Sequence, residues 1–341
     1  MSGERDKPRG GTLVVQTAFL GDVVLTTGLL SCLAERFGPV DVVTTTAAAP
    51  LLETHPAVRR VVPYDKRGGE RGAGGFWKKA RELRREGYVR AYLPHRSLRS
   101  AALALAAGIP ERVGFAGSPG SLAYTRSVAR PGTGHEAERI LALAEPQAGS
   151  TARVSLGLAD TDRDLAASWL DAHHVAEPFI AVAPGSIWGT KQWPGYPELV
   201  ARLDQPVVVV GGPEDAALAA DLARAAPERV HVAAGALPLR ASAALLARAA
   251  LLVTNDSAPL HLASAVGTRV VAIFGPTIPG FGFGPRGQAD RIVELAGLAC
   301  RPCSSHGPSV CPLGHHRCMR DLRVETVLEV VSGQWSVISG Q

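Results

Sequence analysis

Short apolar runs rich in β-branched residues and lacking polar alternation recur along the chain, separated by stretches of helical period, and the whole pattern plays through twice. A strand that is apolar on both faces has to be covered on both, which calls for parallel sheets flanked by helices. The expected strands are Thr12–Thr17, Val40–Thr45, Arg59–Pro63, Val89–Leu93, Phe179–Ala183, Pro206–Val210, Val230–Ala233, Leu251–Thr254 and Val270–Phe274. The expected helices include Val23–Phe37, Phe76–Arg85, Ser97–Ala107, Ala216–Ala225, Arg240–Ala249 and Pro259–Val266. From about Gly114 to Ser155 the pattern weakens into Gly- and Pro-rich stretches, then resumes with a polar helix, Asp162–His174, ahead of FIAVAPG. The 341 residues are about twice the usual length of one domain. The reading is therefore α/β, with two doubly wound, Rossmann-like parallel-sheet domains, 1–155 and 156–341, facing a central cleft, the boundary lying within 150–175. The last helix is left open to packing back on the first domain. Ligands of such sheets bind beyond the carboxyl ends of the strands, so the loops that follow strands are where chemistry is sought.

Composition narrows the class. With 46% hydrophobic and 20% charged residues and a mean hydropathy of +0.09 the chain can bury two cores, which excludes a disordered or fibrous protein. The net charge of +5 suits anionic ligands, but the basic residues are too weakly clustered with aromatics for a nucleic-acid binder. No apolar run is long enough to span a bilayer, and the start MSGERDKPRGG lacks the apolar core of a signal peptide. The expected location is cytoplasmic, with peripheral contact at the inner face of the cytoplasmic membrane left open.

Three segments carry the chemistry. In TAFLGDVVLTTGLL the first strand runs into a helix, with Gly21 allowing a tight turn and Asp22 at the helix start; the plain alternative is an Asp helix cap. In APGSIWGTKQWP a strand ends at Gly185 and Ser186, a loop carries Thr190 and Lys191, and Trp193-Pro194 is expected to open a helix. Small residues with one lysine after a parallel strand make a seat for a phosphate, or equally a surface lysine beside a packing contact. In VTNDSAPLHLASAVGT a buried strand ends at Asp256 and Ser257, Pro259 fits a helix start, His261 lies in the first turn and Gly267 closes the helix. Unpaired N–H groups and the helix dipole suit that start to an anion, although a merely capped helix fits the same letters.

LVVQTAFLGDVVLTTGLL, APGSIWGTKQWP and VTNDSAPLHLASAVGTRVVAIFGPT resemble, in order and spacing, the signatures of family 9 glycosyltransferases, the ADP-heptose:lipopolysaccharide heptosyltransferases. PHRSLRSAALALAAGIPERVGF and CRPCSSHGPSVCPLGHHRCM look like the heptosyltransferase II branch. The resemblance implies GT-B architecture, an acceptor-binding first domain and a nucleotide-sugar-binding second one. It implies an inverting transfer of heptose from ADP-heptose to the inner core of lipopolysaccharide, with no catalytic cofactor. Asp22 matches the family's general base, Lys191 with Thr190 the residues at the donor diphosphate, and Asp256 the carboxylate on the donor sugar hydroxyls. Ser257, Ala258 and His261 match the phosphate cradle, with Gly185 and Ser186 in the donor loop. Glu214 or Asp215 matches an acidic position near the ribose, and the sequence does not choose between them. Arg96 and Arg99 are expected near acidic groups of the acceptor, each with a plain alternative as an exposed or ion-paired side chain. Another nucleotide-sugar transferase of the family, a nucleotide-sugar epimerase and a carbohydrate-binding relative without activity stand as alternatives. A nicotinamide oxidoreductase lacks its G-x-G-x-x-G turn.

Other segments are less telling. Asp160-Thr161-Asp162 has the D-x-D form of a metal site but stands before a polar helix and reads as a cap. RGGERGAGG, 67–75, is expected to be a mobile loop, and KKARELRRE, 78–86, a solvated basic helix face in preference to a lipid contact. Cys300, Cys303, Cys311 and Cys318 match the ligand count of a structural zinc site, with His306, His315 and His316 nearby, or serve as reduced thiols packing a loop.

Overall fold

The computed structural model describes residues 10–146 and 150–340, so most of the MSGERDKPRGG start and part of the Gly/Pro-rich stretch, 147–149, lie outside the described residues. The chain divides into two compact units, Met1–Gly157 and Leu158–Gln341.

The first unit holds strands β1 (Thr12–Val15), β2 (Val40–Thr44), β3 (Val58–Pro63), β4 (Arg90–Leu93), β5 (Glu111–Phe115) and β6 (Arg126–Val128), with helices α1 (Leu20–Phe37), α2 (Gly72–Glu86), α3 (Leu98–Ala106) and α4 (Glu136–Leu141). All strand pairs are parallel, in the order β3-β2-β1-β4-β5-β6. The second unit holds β7 (Ile180–Ala183), β8 (Val207–Val209), β9 (Val230–Val232), β10 (Leu251–Asn255), β11 (Arg269–Phe274) and β12 (Arg291–Glu294), parallel in the order β12-β11-β10-β7-β8-β9. Its helices are α5 (Asp160–Ala172), α6 (Tyr196–Arg202), α7 (Ala216–Ala225), α8 (Leu239–Arg248), α9 (Ala258–Val266), the single turn α10 (Arg317–Arg320) and α11 (Val324–Ser339). Each sheet is thus a doubly wound sheet of the same strand order. The direction of winding reverses between β1 and β4 in one and between β7 and β10 in the other. Every residue of β1, β2, β7 and β10 is buried, as a sheet covered on both faces requires.

Several expectations need correction. β5, β6, β12 and α4 were not anticipated. The edge strands RSV and RIVE are short and carry exposed polar residues, so they lack the apolar run on which the reading relied. The helix after Trp193 begins only at Tyr196, because Trp193 is buried and donates its indole N–H to Leu322 O at 3.1 Å. Gly21 lies inside the first turn of α1 with helical backbone, so it makes no separate tight turn. Four of the nine residues of the expected 67–75 loop form the first turn of α2, and Asp65 ties the remainder by accepting from Gly68 N and Gly69 N at 2.9 and 2.6 Å. Asp162 accepts from Ala159 N at 2.9 Å and pairs with Arg240 Nε at 2.9 Å, which is the capping role expected of the D-x-D stretch. Val324, Val327 and Val331 of α11 join the core of the second unit.

Candidate functional site

The carboxyl ends of strands at the two switch points carry most of the residues singled out from sequence. In the first unit, β1 leads into α1 and Asp22 occupies its first turn, accepting from Phe19 N at 3.2 Å. Burial, and after it the negative charge of Glu136 at the start of α4, lifts the Asp22 carboxyl to about 6, against the opposing hydrogen bond from Phe19. Glu136 is held by Arg130 at 2.5 Å and Arg139 at 3.5 Å. His95, after β4, lies 3.4 Å from Thr17 Oγ1. Burial and then the charge of Lys66 press its pKa down to about 4, which leaves it neutral and a weak base at neutral pH.

Lys66 escaped the sequence reading although it follows a strand. Its ammonium donates to Thr17 O at 2.5 Å and Thr17 Oγ1 at 3.1 Å, and burial with Arg67 and Arg99 nearby lowers its pKa. Arg99 donates to Tyr64 OH at 2.9 Å and lies over the Phe76 ring, while Arg96 reaches Ser118 Oγ at 3.4 Å and Gly117 O at 3.3 Å. Both arginines thus have partners inside their own unit. Asp41, at the opposite end of the sheet, is a structural carboxylate, bound by Arg59 and Tyr88.

In the second unit the loop after β7 and the loop after β10 meet through side chains. Asn255 donates to Pro184 O at 2.7 Å and accepts from Trp193 N and Tyr196 OH at 3.3 and 3.1 Å, locking the two loops together. Lys191 Nζ donates to Asp256 Oδ2 at 2.6 Å, and Thr277 Oγ1 donates to the same oxygen at 2.6 Å. All three side chains are buried. With Oδ2 taken up twice, Asp256 has Oδ1 left for another donor. Thr277 was missed, yet it lies just past β11 in the GPT that closes the third motif.

Ser257 precedes α9 without capping it; its hydroxyl lies 3.4 Å from Thr254 Oγ1, which leaves the N–H groups at the start of the helix without a side-chain cap. Ala258 opens the helix, and the buried His261 ring lies edge-on to Phe283 at 6.3 Å. Gly267 ends α9 in the left-handed conformation at φ 85°. The buried Gly185 lies where a Cβ would come within 2.0 Å of the Asp215 carboxylate. That carboxylate also accepts from Gly212 N at 3.0 Å, while Glu214 is exposed. Ser186 Oγ accepts from Trp188 N at 3.3 Å.

Among the described residues no group of three or more His, Cys, Asp or Glu side chains is placed to hold a metal ion, so the expected structural zinc at Cys300, Cys303, Cys311 and Cys318 finds no support. Their sulfurs have other engagements: Cys303 Sγ donates to Cys300 O, and Cys311 Sγ accepts from His316 N, both at 3.4 Å. Burial would raise the Cys311 thiol, but the N–H groups of His316, Leu313, Gly314 and His315 outweigh it and hold the pKa below the ordinary value. Burial pushes Cys318 up to about 11, with the charge of Cys303 adding to it. All five cysteines are free thiols.

Two doubly wound parallel-sheet units of the same strand order make up the fold of a GT-B glycosyltransferase. The pattern of glycosyltransferase family 9 (heptosyltransferase) matches residues 76–312, and the chain belongs to that family. It is 27% identical to lipopolysaccharide heptosyltransferase 2 of Escherichia coli, over 93% of this chain and 96% of that one. The family 9 glycosyltransferase of Veillonella parvula superposes with a TM-score of 0.83 at 22% identity, covering 98% of both chains. E. coli ADP-heptose LPS heptosyltransferase II superposes with a TM-score of 0.77 at 25% identity, covering 95% of this chain and 98% of that one. The epimerase alternative is not favoured by these findings. No helix among the described residues is long and apolar enough to cross a membrane.

Proposed function

We propose that the protein transfers heptose from ADP-heptose to a heptose of the lipopolysaccharide inner core, with inversion at the anomeric carbon, adding the second heptose. The observation that carries this reading is the buried Lys191–Asp256–Thr277 cluster beside the start of α9, in a chain of this family. A departing ADP develops negative charge, which the Lys191 ammonium and the N–H groups at Ser257 and Ala258 can stabilise without a metal. Asp256 would accept from a donor sugar hydroxyl, with Gly185, Ser186, Thr190 and His261 lining the nucleotide site. Asp215, whose carboxylate lies against Gly185 where β7 ends, is the better placed of the acidic pair for the ribose.

Asp22 would take the proton from the acceptor hydroxyl as its bond to the anomeric carbon forms, because a neutral sugar hydroxyl is a poor nucleophile. A base with a pKa near 6 is mostly ionised at neutral pH and still strong enough to bind the proton. Arg96, Arg99 and Gly21 are assigned to the acceptor side, where acidic inner-core groups at the cytoplasmic membrane surface would meet guanidinium groups. The test is donor profiling. ADP-heptose with a mono-heptosylated acceptor should release ADP in the presence of a chelator. Turnover of a different nucleotide sugar in its place refutes the donor assignment.

A further inference from the structure

The cysteine-rich segment 300–318 is absorbed neither by the proposed chemistry nor by a metal. It makes a series of contacts with one short turn, Gly189–Lys191. Thr190 Oγ1 donates to Pro308 O, and His316 Nε2 lies 2.8 Å from Thr190 O. A carbonyl only accepts, so Nε2 carries the proton in this contact. Gly307 has φ +78°, and a Cβ there would lie 3.4 Å from both Lys191 Cε and Thr190 Oγ1 and 3.1 Å from Pro276, so the backbone runs directly against the lysine stem. On the other side, a Cβ at Gly189 would come within 2.7 Å of Ser309 O. Cys303 N donates to Pro276 O at 2.9 Å, which ties the segment to the loop that carries Thr277.

We infer that His316 is a positioning residue for Lys191, and that the 300–318 segment is a strap whose purpose is to hold the Thr190–Lys191 peptide in place. The carbonyl that His316 holds belongs to the peptide linking Thr190 to Lys191, so the hydrogen bond fixes the plane from which the lysine side chain departs. The Thr190 hydroxyl fixes the same peptide from its other side. Gly307 lets the strap lie close enough to limit the stem, and the ammonium is left aimed at Asp256 and whatever anion shares that site. Cys311 supports the arrangement by accepting the backbone N–H of His316. An ammonium displaced by even an ångström loses much of its attraction for a diphosphate, since such contacts act at close range.

This inference rests on Lys191 facing the donor diphosphate, and the test separates the two. ADP affinity is measured by calorimetry, and donor KM and kcat by ADP release, for His316→Phe and His316→Ala, which remove the N–H, and His316→Gln, which restores a donor. Each is made in the native chain and in Lys191→Met, which keeps the packed stem without the charge. In the native chain the loss of the N–H should weaken ADP about tenfold and raise donor KM more than it lowers kcat, with His316→Gln recovering most of the affinity. In the Lys191→Met chain the same substitutions should change ADP affinity less than twofold. Equal losses in both backgrounds, no loss in the native chain, or no rescue by glutamine overturns the positioning role. If Lys191→Met itself leaves ADP affinity untouched, the diphosphate assignment is what fails.

Discussion

Asp22→Asn sets the base and the helix-cap roles of one residue against each other. Burial, followed by Glu136, lifts the Asp22 carboxyl from 3.8 to about 6. One pKa unit is worth about 1.4 kcal/mol, so keeping this carboxylate ionised in the folded chain costs on the order of 3 kcal/mol. Between pH 3.8 and about 6 the folded chain holds a proton that the unfolded chain has released. Stability therefore falls as pH rises through that window, and the penalty is complete above it. Asparagine carries no such penalty, and its Oδ1 can still accept from Phe19 N. Losing a negative charge near a helix N-terminus offsets about 0.3–1 kcal/mol of the gain. The net effect at neutral pH is a stabilisation of about 2 kcal/mol, or several degrees in Tm. The same variant cannot take a proton, so kcat should fall by roughly 10²–10⁴ while ADP affinity changes little. Thermal unfolding at about pH 7.5 and pH 4, steady-state kinetics and calorimetric ADP binding read all of this, and the Tm gain should shrink at the lower pH. A variant no more stable than the parent at neutral pH, with kcat within tenfold, refutes the reasoning and leaves Asp22 a cap.

Four further outcomes follow from the same geometry. A base at Asp22 has to be ionised to take a proton, so in the proposed role kcat/KM should decline below about pH 6. Glu136→Gln removes a neighbouring negative charge that raises the Asp22 pKa, so it should move that limb to lower pH in a pH–rate profile. Lys191→Met leaves Asp256 buried with only Thr277 as an identified side-chain partner, and breaking such a pair typically costs about 3–5 kcal/mol, so Tm should drop while donor KM rises and kcat falls. Thr277→Val removes a hydrogen bond to a carboxylate, worth about 1.5–3 kcal/mol, and thermal unfolding together with kinetics should show a lower Tm and a smaller loss of turnover than Lys191→Met.

What could be read from the sequence follows the physics of burial. β1, β2, β7 and β10 are buried throughout because helices cover both faces, and they are apolar enough to stand out as runs. β12 lies at a sheet edge with three of its four residues exposed, so its letters do not differ from those of a loop. Asp22, Lys191 and Asp256 stand out as candidates because each follows a central strand at the place where the winding reverses. Thr277 and Lys66 also follow strands, but a threonine and a lysine in loops carry no spacing signature, and only the side-chain partners set them apart. The four cysteines match a zinc site only in ligand count, and the geometry does not support the metal: two of their sulfurs have backbone partners and Cys318 is buried in the core. Glu214 and Asp215 look alike in the sequence, whereas in the fold the Asp215 carboxylate lies against Gly185 and Glu214 is exposed.

The central claim is group transfer from ADP-heptose to an inner-core heptose, and product analysis tests it most directly. The purified protein is incubated with ADP-heptose and a mono-heptosylated inner-core acceptor, and the acceptor is followed by mass spectrometry with the new linkage assigned by NMR. The account predicts one heptosyl residue gained per ADP released, with the anomeric configuration inverted relative to the donor. An unchanged acceptor alongside an isomerised or hydrolysed nucleotide sugar, or a linkage that retains the donor configuration, would contradict it.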